Sequence, residues 1–360
     1  MGVVLRANTT LTMALPKQGL VLEHAADFVG DLRVLDIGFS AKDVESIPSP
    51  NDLITSDAVA LGFRNRPRGT HKGAMGHVLV LGGALGMAGA PALSARAALR
   101  TGAGLVSVVV PRGIYEVTAE LAGAEVMVRP TSGDETLDDR VFSAHEALLK
   151  RATAIVVGPG LGTSDAAGRL VSKLLKECSL PIVVDADALN LISANPELLK
   201  FVKGNRIFTP HPGEMARLLQ GRVEDIQADR FRASRDFARK WGVTVLLKGA
   251  RTVIAHPEPA LLPGGGTCEF SVNALAGHAG MATPGCGDAL SGILGALLAR
   301  RWTMSDAARA AVFLHARAGD LGMKRMGGSS AGDLIEALPQ AIEDLIRDFD
   351  KPVEFRHPKG

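Results

Sequence analysis

Cys178, Cys268 and Cys286 are the only cysteines in 360 residues. This odd, widely spaced set has no metal-ligand spacing and no disulfide framework, and it fits a reducing compartment. Aromatic residues are scarce at 4%, with one tyrosine and two tryptophans, so little is available to stack nucleic-acid bases. Charge of one sign is also lacking: the formal net charge of +2 leaves no electrostatic footprint for a nucleic-acid or membrane partner. Unbroken apolar runs are absent as well. Val78 to Leu93 and Met281 to Ala299 are interrupted by glycine and proline or carry Asp288, so neither reads as a membrane span. Arg6 and Asn8 sit inside the first apolar stretch and spoil a signal peptide. The expectation is a cytoplasmic, soluble chain with no nucleic-acid or membrane partner.

What is present is an ample apolar fraction, 46%, with 41 glycines and 19 prolines to punctuate it. From about residue 76 a pattern repeats: a short apolar run, a glycine or proline turn, then a helical segment. The runs are His77–Leu81, Leu105–Val110, Ala154–Val157, Pro181–Val184, Arg206–Phe208 and Val243–Leu247. Most are rich in Val, Ile and Leu without alternation, as in strands buried on both faces of a parallel sheet. Helices are expected at Ala90–Thr101, Ala166–Lys176, Gly213–Leu219, Asp229–Lys240, Asp288–Arg300, Ser305–Met323 and Asp333–Phe349. Such alternation predicts a layered α/β fold with ligands at the carboxyl ends of the strands. Arg251–Phe270, with Pro257, Pro259 and Pro263-Gly264-Gly265-Gly266, reads as an antiparallel hairpin. Residues 1–50 read as a separate small piece, 51–70 as a polar linker, and 71–350 as the main domain.

One stretch concentrates the chemistry: Gly280-Met281-Ala282-Thr283-Pro284-Gly285-Cys286-Gly287-Asp288-Ala289-Leu290-Ser291-Gly292. It is a glycine-rich turn feeding an apolar helix, with a carboxylate where the two meet. Free amides at a helix start attract anions, and small residues let a phosphate approach the backbone. A carboxylate there can take a proton from a hydroxyl while negative charge gathers on phosphoryl oxygens. We read a phosphoryl-transfer centre with Asp288 as base; the plain alternative is a capping aspartate. The positive end of the helix is expected to keep Asp288 ionised, a weak base at rest. Cys286 reads as a small residue that fits the turn rather than a nucleophile, since no partner base is evident.

Other strand-to-helix turns carry functional residue types. Gly82 to Ala90 is a turn of small residues, but its spacing is not that of a dinucleotide fingerprint. Gly158-Pro159-Gly160-Leu161-Gly162 either leaves room for a ligand or is a plain tight turn. In Asp185-Ala186-Asp187-Ala188-Leu189-Asn190, an extended chain would put both carboxylates on one side, able to organise Mg²⁺ waters. The simpler reading is that Asp187 caps the next helix. In Thr209-Pro210-His211-Pro212-Gly213-Glu214 the spacing suits a capping box, with His211 as N-cap and Glu214 at the third position. The same pair can hold a substrate and a hydrated Mg²⁺, which is the reading adopted. Lys248-Gly249-Ala250-Arg251-Thr252 supplies a point charge for phosphate and a glycine for adenine or ribose, unless Lys248 is a surface lysine. Nothing in the spacing of His71-Lys72-Gly73 decides its role. The charged stretch from Asp229-Arg230 to Arg235-Asp236 reads as a solvated helix face without a role.

Together these turns resemble the ADP-dependent NAD(P)H-hydrate dehydratases of the ribokinase-like superfamily. The matching motifs are His71-Lys72-Gly73, Gly89-Ala90, Gly102-Ala103-Gly104-Leu105, Gly158 to Gly162, Asp185 to Asn190, His211 to Glu214, Lys248-Gly249 and Gly285 to Asp288. They run in family order over roughly residues 66–345. The resemblance implies a ribokinase-like three-layer α/β/α fold with a mostly parallel sheet. It implies a repair lyase that restores NADH or NADPH from the (S)-hydrate with consumption of ADP, giving AMP and phosphate. Asp288 would be the base and the Gly285, Cys286 and Gly287 amides the anion hole. Ala90, Gly162, His211 and Asp288 would bind the hydrate. Lys248, Gly249, Ala250, Arg251, Thr252 and Gly287 would bind the nucleotide, and Glu214 would support Mg²⁺ through water. The family also implies a homo-oligomer, a tetramer.

Two positions depart from the family pattern: His278 stands where Asn is common, and Cys286 where Gly, Ser or Thr is common. Residues 7–39, with Asn8-Thr9-Thr10-Leu11-Thr12-Met13, Pro16 to Leu20 and Leu35-Asp36-Ile37-Gly38, resemble the tail of an NAD(P)H-hydrate epimerase domain. The bulk of that domain is not in this sequence, so epimerase activity is not expected of it. Two rival readings share the motifs: a vitamin-precursor or sugar kinase of the same superfamily, and a non-catalytic nucleotide-binding protein.

Overall fold

The computed structural model describes residues 4–40, 42–43, 49–64, 69–202, 204–262, 266–273, 276–326 and 330–349. A ten-stranded sheet runs through the centre. Its strands are β3 (Asn51–Leu53), β4 (His77–Leu81), β5 (Leu105–Val110), β6 (Met127–Pro130), β7 (Ala154–Val157), β8 (Ile182–Val184), β9 (Arg206–Phe208), β10 (Thr244–Leu247), β11 (Val253–Leu261) and β12 (Thr267–Val272). Their order is β3-β12-β11-β10-β9-β8-β7-β4-β5-β6, and every pairing is parallel except those made by β11. β1 (Thr9–Met13) and β2 (Asp31–Leu35) form a separate parallel pair, with Thr9 opposite Asp31.

The six apolar runs become β4, β5 and β7 to β10, and their side chains divide by the strand's two-residue period. Val78, Val80, Val106, Val156, Val183 and Leu246 face one core; Leu79, Leu81, Ile155, Val157, Val184 and Leu247 face the other. The first core is covered by α1 (Ser56–Arg64), α2 (Gly89–Arg100), α3 (Cys286–Ala299), α4 (Met304–Met326) and α5 (Ala331–Phe349). The second is covered by the helices Asp165–Glu177, Ala186–Ala194, Pro212–Leu219 and Arg230–Trp241. This is the three-layer α/β/α arrangement.

The central helix, α3, is buried from Ala289 through Ala299, so it is apolar on all sides. Two glycines let it approach its neighbours. A Cβ at Gly292 would stand 2.0 Å from Ser94 O of α2, and one at Gly295 would stand 2.6 Å from Val156 Cγ2 of the sheet. The start of α3 is thereby fixed over the carboxyl ends of β7 to β10.

The hairpin expectation holds for β11 and β12, whereas Pro263, Gly264 and Gly265 lie outside the described residues. The linker expectation is corrected over residues 51–64. Asn51–Leu53 pairs with β12 at the sheet edge, and α1 packs on the first core. The polar composition misled because an edge strand needs only one buried anchor. Ile54 is that anchor, fully buried, and Asp52 pairs with buried Arg309 at 2.7 Å. β6 escaped the sequence reading for a similar reason. It is an opposite edge strand with one buried residue, Val128, and a terminal proline that only an edge tolerates.

Candidate active site

The turn before α3 is built on Gly285, whose φ of 90° and crowding by Leu93 and Ala331 leave no place for a side chain. The first intrahelical bond runs from Ala289 N to Gly285 O at 3.0 Å, and no side chain caps this end. The Cys286, Gly287 and Asp288 amides precede that bond and are available to an anion. A Cβ at Gly287 would lie 3.5 Å from Lys248 Nζ, so the ammonium stands directly beside the helix start. A cation and a row of amides therefore share one cradle.

Lys248 is no surface lysine. It ends β10 and donates from Nζ to Asp185 Oδ1 at 2.9 Å, with Glu214 Oε2 at 3.6 Å. Asp185 ends β8, is 1% exposed, and also accepts from Ser291 Oγ of α3 at 2.7 Å. Burial alone would raise its pKa. The Lys248 charge, with hydrogen bonds from Lys248, Ser291 and Thr209, outweighs burial and holds the carboxyl below its ordinary value. Lys248 is shifted up by the same group of carboxylates despite its own desolvation.

Asp288, third in α3, behaves differently, and the expectation of a carboxylate ionised at rest is corrected. Burial, aided by the charges of Asp185, Asp187 and Glu214 and opposed by Lys248, pushes its pKa up to about 7. Desolvation and like charge here exceed the stabilisation from the helix end. A carboxyl poised near neutral pH has the proton affinity that general-base chemistry at that pH requires. Cys286 is pushed up to about 11, chiefly by burial, which supports its reading as a space-filling thiol.

The two carboxylates of the Asp185 to Asn190 turn do not stay on one side. Ala186 takes a positive φ of 47° and the helix begins there, so Asp185 points to Lys248 while Asp187 turns to the next loop. Asp187 does not cap its own helix. It accepts from Gly162 N at 2.9 Å and from Asn190 Nδ2 at 3.2 Å, pinning the Gly158–Gly162 turn. That turn lies against the Gly82–Ala90 turn: Gly83 N donates to Pro159 O at 2.9 Å, and a Cβ on Gly160 would meet Ala90 at 3.1 Å. Ser94 Oγ of α2, about one turn past Ala90, donates to Asp288 O at 2.8 Å, and Asp187, which holds Gly162, also acts on the Asp288 carboxyl.

His211 and Glu214 form the full capping box. His211 Nδ1 accepts from Gly213 N at 3.0 Å and from Glu214 N at 3.4 Å, and Glu214 Oε2 accepts from His211 N at 2.7 Å. Capping is therefore part of the role of this pair. Burial raises the Glu214 carboxyl, and burial together with Lys248 and Arg217 keeps the imidazole below its ordinary value, hence neutral.

Three contributors escaped the sequence reading. Ser291 lies one helical turn beyond Asp288, but only the fold brings Asp185 against it. His315 of α4, pushed down to about 4 chiefly by burial, donates from Nε2 to Cys286 O at 2.8 Å and braces the cradle from behind. Arg230 corrects the reading of 229–236 as a solvated face: it is 5% exposed and donates from Nη2 to Leu247 O at 2.7 Å and Lys248 O at 3.1 Å. His278 caps a short turn, accepting from Gly280 N at 3.0 Å, beside the same cavity. Among the described residues no helix is long and apolar enough to cross a membrane.

A parallel sheet whose strand ends carry a helix start with unpaired amides, a partly buried lysine and an aspartate suits the ribokinase-like fold class. A ribokinase-like superfamily protein of Enterococcus faecalis superimposes with a TM-score of 0.71 at 26% identity, covering 83% of this chain and 98% of that one. More specifically, the chain belongs to the NAD(P)H-hydrate dehydratase family, whose model matches residues 78–340. The bifunctional NAD(P)H-hydrate repair enzyme Nnr of Moorella thermoacetica is 38% identical over 353 residues, 97% of this chain and 64% of that protein. The ADP-dependent (S)-NAD(P)H-hydrate dehydratase of Neisseria meningitidis is 39% identical over 288 residues, 79% of this chain and 89% of that protein. The chain thus spans just under two thirds of the bifunctional relative.

Proposed function

We propose that this chain is a metabolite-repair hydro-lyase that returns (S)-NADHX or (S)-NADPHX to NADH or NADPH while converting ADP to AMP and phosphate. The observation that carries the reading is Asp288, held near neutral pKa at the start of α3 among Asp185, Lys248, Asp187 and Glu214. Asp288 takes the proton of the C6 hydroxyl as its oxygen bonds to the terminal phosphorus of ADP and the bond to AMP breaks. The amides at Gly285, Cys286 and Gly287, with Lys248, hold the charge that gathers on the phosphoryl oxygens. The C6–O bond then breaks with the ring nitrogen's lone pair, phosphate departs, and loss of the C5 proton restores the double bond.

Ala90, Gly162 and His211 would bind the hydrate and Lys248 to Thr252 with Gly287 the nucleotide; His211, Lys248, Gly249, Ala250, Thr252 and Gly287 line one cavity, so the two sites would adjoin at His211. Among the described residues no group of three or more His, Cys, Asp or Glu side chains is placed to hold a metal ion directly, so any Mg²⁺ would be held through water and by the phosphates of the nucleotide. Glu214 would hold the ion through water, and the ion would neutralise phosphate charge. Residues 1–50 are read as epimerase-type sequence, 71–350 as the catalytic domain, and the setting as cytoplasmic. A tetramer is expected, and light scattering measures it.

The test is direct. Hydrated NADH with ADP and Mg²⁺ regains its nicotinamide absorbance on adding the protein, and Asp288→Asn regains it at least about a hundredfold more slowly. A wild-type protein that restores no absorbance with ADP or ATP overturns the proposal; a phosphate ester building up on a vitamin or sugar would put a kinase in its place.

A further inference from the structure

A cavity of about 720 Å³ opens beside the cradle. Its inner end is Gly287 and Lys248, and Met281, Leu290 and Val312 supply apolar sides. The remaining wall comes from far earlier in the chain: Glu23, Ala26 and Asp27 also line it. Such a space, cationic at one end and apolar along its sides, matches a nucleotide with its phosphates inward.

The early segment is tied to the 248–252 turn, to Arg230 and to β3. Glu23 forms an ion pair with Arg230. Arg251 Nη1 donates to Leu20 O at 3.3 Å, and Asn51 Nδ2 donates to Gln18 Oε1 at 3.3 Å. Val21 and Val29 are buried beneath it. Arg230 is the node. While pairing with Glu23, it holds the Leu247 and Lys248 carbonyls, and it packs so close that a Cβ on Gly249 would stand 2.2 Å from Nη1. A buried guanidinium without its carboxylate would be an uncompensated charge, so Glu23 helps to fix Arg230 and, through it, the turn at 248–252.

We infer that residues 18–29 form the nucleoside wall of the ADP site, with Glu23 a positioning residue acting through Arg230 and Asp27 a specificity residue at the wall. This rests on the assignment of the cavity to ADP made above. A carboxylate at the outer wall repels phosphate, which leaves the phosphates to Lys248 and the amides. It accepts hydrogen bonds from the donors a nucleoside offers, ribose hydroxyls or a purine amino group. An epimerase-like stretch would then serve the dehydratase site.

The test compares ADP and inorganic pyrophosphate, each with Mg²⁺, by calorimetry on the full chain. Pyrophosphate reaches the cradle but not the nucleoside wall. Ala26→Trp, which fills the wall, is expected to weaken ADP by about tenfold or more and leave pyrophosphate within about twofold. Glu23→Gln is expected to raise KM for ADP by about three- to tenfold with kcat and KM for the hydrate within about twofold. ADP affinity unchanged in both variants, or equal loss of ADP and pyrophosphate, overturns the inference while leaving the dehydratase proposal standing. A wild-type protein inactive on the hydrate overturns that proposal instead, and the calorimetry still decides the wall.

Discussion

Lys248 Nζ stands 2.9 Å from Asp185 Oδ1, and this one contact joins the ends of β8 and β10 beneath the cradle. Asp185 is 1% exposed and also holds Ser291 of α3, so it orients the cation and α3 together. Asp185→Ala leaves Lys248 with a weaker set of partners and Ser291 without its acceptor. The expected loss is about 3–5 kcal/mol of unfolding free energy, the range for breaking a buried pair, read from urea denaturation. A loss below about 1 kcal/mol would mean that the pair contributes no more than an exposed one.

Asp288→Asn is expected to lower kcat by about 10²–10⁴-fold, the contribution of a positioned base, with ADP binding retained. In the wild type, kcat/KM should rise with pH through about 7, where Asp288 loses its proton, and level off above it. A flat profile from pH 5 to 9 would remove Asp288 from the role of base.

The same group links pH to stability. Between its ordinary 3.8 and about 7 the folded chain keeps a proton that the unfolded chain releases, so its contribution to stability falls as pH rises through that window. Asp288→Asn should therefore gain stability relative to wild type between pH 4 and pH 7.5, as followed by melting temperature. An active-site residue that costs stability at working pH is the expected trade against function.

Gly292 and Gly168 make a contrasting pair. A Cβ at Gly292 meets the Ser94 carbonyl at 2.0 Å, whereas at Gly168 it meets only Leu191 Cδ2 at an ordinary 3.7 Å. Gly292→Ala is expected to cost about 1–3 kcal/mol through overpacking between α2 and α3. Gly168→Ala, inside the helix Asp165–Glu177, is expected to gain about 0.5–1 kcal/mol. Equal effects of the two substitutions would refute the close approach of α2 and α3.

His211→Ala removes a cap and is expected to cost about 1 kcal/mol at pH 8. The cap needs an unprotonated Nδ1 as acceptor, and the imidazole's pKa is lowered, chiefly by burial. Its contribution is therefore present above the ordinary histidine value and lost as pH falls through the lowered one. The difference between variant and wild type should accordingly shrink toward acid pH in chemical denaturation.

The sequence by itself determined the layers, because Val- and Leu-rich runs such as His77–Leu81 and Ala154–Val157 bury both faces and have no other way to do so. It also determined the chemistry-bearing turn, since glycines around one carboxylate at a helix start leave an anion site by local geometry alone. Only the tertiary structure decided the charge state of Asp288, which depends on Asp185, Asp187 and Glu214 arriving from other strand ends. It likewise decided that Arg230 is buried behind the nucleotide turn and that Asn51–Leu53 is an edge strand. Local pattern records which residues a segment has, whereas burial and electrostatic field are sums over neighbours distant in sequence, and no window of the chain contains them.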